Sequence, residues 1–228
     1  MFLHMAIGGG IDMNRVSITD YGLLQAFDDL TGSVSYGCRQ KWYSRFLKRF
    51  SGCAPTVFSS QVWYLLRRAR TLPTVSDGAK AEMKKLMEEV WHYVTPSLRG
   101  LPSAAAFAVG ASKYMEKTEL GIRPVALVIP PCDSERPEFP EVVSFIADSL
   151  AEDFPVAFLC LDPGEEKTLD TWHWTVVLSL EYSEDFLSAQ AEIMDDGKLL
   201  RVDIRNWFAT TKREGGFVGF ARSLQVSV

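Results

Sequence analysis

The sequence predicts an α+β fold, with a helical first half and an antiparallel β second half. Three observations carry this. Up to Glu152, apolar residues recur at three- and four-residue spacings in several separate stretches. From Pro155 onward the pattern changes to short β-like runs. Between two of those runs lies Asp195-Asp196-Gly197, the composition of a tight hairpin turn.

In chain order, Ser33 and Gly37 punctuate the approach to an aromatic, basic segment, YGCRQKWYSRFLKRF, in which Ser44 to Phe50 read as a short helix or turn. Gly52 then breaks the chain, and Pro55 suits the first turn of a new helix because its missing N–H is not needed there. That helix runs from Ala54 to about Arg70. Its apolar residues, among them Val57, Phe58, Val62, Trp63 and Leu66, surround the axis, so it is expected to be buried on nearly all sides. Asp77 to Tyr93 read as an amphipathic surface helix, Ser103 to Thr118 as an alanine-rich third helix, and Glu138 to Glu152 as a fourth after the loop PPCDSERPEFP. Strands are expected over Val156 to Leu161, His173 to Tyr182, Ala191 to Met194, Leu199 to Ile204 and Phe217 to Ala221. The expected domain is 14–228, helical over about 36–152 and β over about 153–228. Residues 1–13, with three consecutive glycines, read as a disordered or non-native leader.

At 228 residues and 47% hydrophobic content the chain is long enough for a sizeable core. A net charge of −5 leaves no basic footprint, so neither nucleic acid nor an acidic membrane is an expected partner. No apolar run approaches a membrane span and no export signal is legible, so the expected location is cytoplasmic. Cys38, Cys53, Cys132 and Cys160 are spaced too irregularly for a zinc site, and reduced thiols are expected. No metal or organic cofactor is implied, and oligomeric state is left open. Outside the leader, histidine occurs only as His92 and His173.

Two of these residues suit nucleophilic chemistry. A thiol reacts as thiolate, and the unpaired N–H groups at a helix start favour that anion. Cys53 stands at such a start. A thiol nucleophile needs a base, and His173, at the beginning of a strand after the polar loop Asp162 to Asp170, is the candidate. Trp172 and Trp174 flank it and are placed to shield the pair from water. His92 lies on the flank of a charged helix.

SGCAPT followed by an apolar helix resembles the nucleophile segment of papain-like cysteine peptidases of the bacteriocin-leader-processing and related bacterial groups, and WHWTVV resembles their base-bearing strand. Gln40 with Trp42, Pro155 to Leu159, Asp203 with Trp207, and Gly215 to Phe217 match further segments of such bacterial proteins. The resemblance implies a papain-like fold and a cysteine hydrolase acting on a peptide or other amide, with Gln40 as an oxyanion donor and Trp42 beside the substrate. It also implies an acid partner for His173, for which Asp203 is the first choice, Asn206 the reserve and Asp170 a third. Direct pairing of Asp203 with His173 requires neighbouring strands, whereas a plain meander would put Asp203 opposite about Ala191. The chain departs from the pattern at Ala54, where glycine is usual. That leaves a catalytically silent peptide-binding or scaffold module, or a thiol acyltransferase, as the alternative.

Overall fold

A central helix, α2 (Cys53–Arg68), organises the molecule, and every residue of it from Cys53 to Leu65 is buried. An all-round apolar helix can be buried only if its few polar side chains are satisfied locally. Thr56, Ser59 and Ser60 each donate to the carbonyl four residues earlier. Gln61, fully buried, donates through Nε2 to the carbonyls of Pro155 and Val218, tying the helix to two separate strands. The computed structural model describes residues 12–27, 33–69 and 79–223. Residues 1–11 of the expected leader, Arg70 and Asp77 lie outside the described residues.

Ahead of α2 come strands β1 (Met13–Ser17), β2 (Gln25–Phe27) and β3 (Val34–Tyr36), a single turn of 3-10 helix at Gln40–Trp42, and α1 (Phe46–Ser51). After it come α3 (Ala79–Val90), α4 (Ala104–Met115), β4 (Ile122–Ile129) and α5 (Phe139–Ala151). The β half consists of β5 (Val156–Cys160), β6 (His173–Ser183), β7 (Ala189–Asp195), β8 (Lys198–Asp203), α6 (Ile204–Thr210) and β9 (Gly215–Arg222). The main sheet runs β4-β9-β5-β6-β7-β8, with β1 added against β6, and all its pairings are antiparallel. Helix α2 packs against β5 and β6 on one side and α3 on another, so its start lies where the helical part meets the sheet.

The α+β class agrees with the sequence reading; three details are corrected and one alternative that it left open is decided. Strand β4 falls inside the segment expected to be helical. It tolerates Pro124 because it is an edge strand, where a missing N–H breaks no ladder on its open side. Met13, assigned to the leader, opens β1 and pairs with Ser183. Ile204 begins a helix instead of ending a strand, because the Asp203 side chain accepts from the Asn206 N–H and caps it. Strands β6, β7 and β8 form a plain meander, which puts Asp203 opposite Gln190 and leaves β7 between it and β6. All four cysteines are free, and among the described residues no helix is long and apolar enough to cross a membrane.

Candidate active site

Cys53 is the first residue of α2, so its amide has no partner within that helix and its thiol lies at the positive end of the helix dipole. The turn that delivers it has no room for a side chain. A Cβ on Gly52 would lie 2.3 Å from the Lys48 carbonyl oxygen and 3.0 Å from both the Tyr43 and Trp91 rings. Ala54, the departure from glycine, is fully buried and does not face the cavity described below, so its methyl group does not narrow the approach to the thiol.

His173 opens β6, directly after Trp172, whose backbone is left-handed with φ 60°. Its Nε2–H donates to Oδ1 of Asp195 at 2.7 Å, with both side chains only partly exposed, 23% and 19%. With Nε2 engaged by Asp195, Nδ1 is the remaining ring nitrogen, and the Cys53 thiol lines the same cavity as the ring. Burial is the largest influence on the imidazole and works against its charge. The hydrogen bond to the Asp195 carboxylate, with smaller help from the neighbouring Cys53 thiol, outweighs it and raises the His173 pKa to about 10. The ring is therefore held as imidazolium at neutral pH.

These groups share a cavity of about 190 Å³, whose lining also includes Gln40, Asp170 and Trp174. Gln40 donates one N–H of its amide to the Arg49 carbonyl at 2.8 Å, which fixes the side chain and leaves its second N–H available. Trp174 contributes as a packed wall: its ring stacks on Phe107 at 4.5 Å and its indole N–H donates to the Leu101 carbonyl. Cys38 lies deeper in the same cavity. Burial pushes its thiol up to about 12, and burial does the same to Cys160, so both favour the neutral form.

The structure thus brings together Cys53, His173, Gln40, Trp174 and Asp170. It separates the others from them. Asp203 caps α6 and Asn206 sits in that helix, so neither is the partner of His173. Trp42 and Trp172 do not line the cavity; Lys80 lies over the Trp42 ring and Arg213 over that of Trp172. His92 is exposed beyond the end of α3.

Asp195, the partner that His173 has, was absorbed into the predicted turn. A two-residue hairpin needs only Asp196 and Gly197, which take φ 38° and 87°. Asp195 is therefore the last residue of β7, the strand next to β6. The doubled aspartate before Gly197 was the available signal, because only the second is required for the turn.

No protein-family profile matches the sequence, and no curated protein matches it. Among solved structures, the crystal structure of UfSP from C. elegans is similar with a TM-score of 0.54 and 9% identity, covering 92% of this chain. The match covers 34% of that chain, so the present chain spans about a third of its length. The shared feature is the fold, a papain-like arrangement of helices and antiparallel sheet.

Proposed function

We propose that the protein is a cysteine hydrolase that cleaves a peptide or other amide bond, with Cys53, His173 and Asp195 as its triad. The observation that carries this reading is the Asp195–His173 hydrogen bond in the wall of the same cavity that the thiol at the start of α2 lines. The likeness of SGCAPT to the nucleophile segment of leader-processing peptidases supports the same reading, as does the papain-like fold.

The chemistry follows from the charges. The thiolate form of Cys53, paired with the His173 imidazolium, attacks the substrate carbonyl carbon. The second N–H of Gln40 and the backbone N–H of Cys53 donate to the oxygen as it becomes negative. The C–N bond breaks as the imidazolium returns its proton to the leaving amine. A water molecule, deprotonated by His173, then attacks the thioester, releasing the acid and restoring the thiol. Asp195 accepts from Nε2–H throughout, so it holds Nδ1 toward sulfur and stabilises the positive ring.

The test is alkylation by iodoacetamide at pH 7, read by peptide mass mapping, together with the p-nitrophenolate burst from p-nitrophenyl acetate. Cys53 should react much faster than exposed Cys132, and His173→Ala should abolish both that advantage and the burst. Equal slow labelling of Cys53 and Cys132 would overturn the assignment.

A further inference from the structure

The helix that leads into Cys53 carries an apolar face that nothing among the described residues covers. In α1, Phe46, Leu47 and Phe50 are 72%, 60% and 71% exposed, three of the most exposed large apolar side chains in the described structure. They lie within six residues, with Phe46 and Phe50 one turn apart on one side of the helix. The inner side of α1 is already used. Lys48 pairs with Glu88 and lies over the Trp91 ring, and the Arg49 carbonyl accepts from Gln40. Anchoring α1 in this way leaves its apolar residues facing outward, on a helix joined through the Arg49 carbonyl to Gln40, which lines the cavity.

The charges beside the patch indicate its occupant. Arg45 and Arg49 are exposed and, among the described residues, have no carboxylate partner, although the chain as a whole carries a net charge of −5. A second copy docking face to face would bring four guanidinium groups together, and an anionic membrane would face a net-negative protein. A polypeptide with apolar residues interleaved with Asp or Glu satisfies both features of the patch. The lip beside His173 repeats the chemistry, with Trp172 43% exposed and the Arg213 guanidinium 5.8 Å from its ring centroid.

We infer that α1 is the substrate-docking surface of this enzyme, and that it binds an acidic, apolar-bearing segment of a protein whose scissile bond is thereby delivered to Cys53. This rests on the hydrolase reading above and narrows its substrate to polypeptides of that chemistry.

The experiment uses the Cys53→Ala chain, which binds without turnover, and a fluorescein-labelled dodecapeptide repeating Glu-Leu-Glu-Phe, followed by anisotropy. Saturable binding is expected, weakened at least tenfold by Phe46→Ser with Phe50→Ser. Arg45→Glu with Arg49→Glu should exchange the preference, favouring a Lys-Leu-Lys-Phe peptide instead. The same pairs placed in the Cys53 protein should leave its iodoacetamide alkylation within twofold, which shows that fold and thiol are intact. Three outcomes would overturn the inference: no peptide binding, binding unaffected by either pair, or a face that instead captures phosphatidylserine vesicles or a second copy in sedimentation equilibrium. Slow alkylation of Cys53 would remove the hydrolase reading alone, because the binding readout does not depend on it.

Discussion

Asp195 and Asp203 end consecutive strands of one hairpin, β7 and β8, yet their carboxylates do different work. Asp195 accepts from the His173 ring, whereas Asp203 accepts from the Asn206 amide and starts a helix. Both are partly buried, and both meet the requirement that such a carboxylate have a donor. What separates them is the neighbouring strand: β7 lies against β6, and β8 is one strand farther out. The side chain that reaches His173, and that the proposed triad uses, is the one whose strand lies against β6.

The largest expected effect is on Asp195. Asp195→Asn should lower the p-nitrophenyl acetate burst rate by up to about 10⁴-fold, as loss of the acid partner does in other triads. Asp203→Asn should leave that rate unchanged, and a comparable loss in both variants would erase the distinction. Gln40→Ala should cost on the order of 10²-fold in the same burst, the usual loss for one oxyanion donor.

The pH dependence sharpens the contrast. The folded-state pKa of His173 is raised from 6.5 to about 10, so its contribution to stability is fully present below pH 6.5 and is lost as pH rises through about 10. Cys53 reactivity that depends on the imidazolium should show an alkaline limb near pH 10 that moves to lower pH in Asp195→Asn. Stability measured by urea unfolding should fall from pH 7 to pH 10 more steeply in the wild type than in that variant. The smallest effect is Asp203→Ala, which should remove about 1 kcal/mol through loss of the helix cap. In a domain of this size that lowers Tm by about 2–4 °C, with the Cys53 alkylation rate unchanged.

The parts of this molecule that were legible in the sequence are those set by short-range chemistry. Gly52, Cys53 and Pro55 mark the start of α2 through backbone requirements of their own, and the all-round apolar pattern after them marks burial. His173 was recognisable because few histidines compete with it. Asp195 was not, because its role depends on which strand lies beside β6, a fact of tertiary pairing that no local pattern encodes. Strand β4 went unassigned for a related reason: with Pro124 inside and helices on either side in sequence, only its pairing with β9 makes it a strand.

Gln61 lies two turns along α2 from Cys53, roughly 12 Å at 1.5 Å per residue, and its Nε2 donates both to the carbonyl just before β5 and to that of Val218 in β9. Farther along, Arg68 pairs with buried Asp153 at 2.6 Å. The helix is thus tied at two points along its length, like a shaft in two bearings, and these contacts resist sliding or turning relative to the sheet that carries His173. The aim of the thiol is therefore set by residues outside the cavity, and under the proposed triad damage at Gln61 would look like a catalytic defect while leaving every proposed reacting group in the protein.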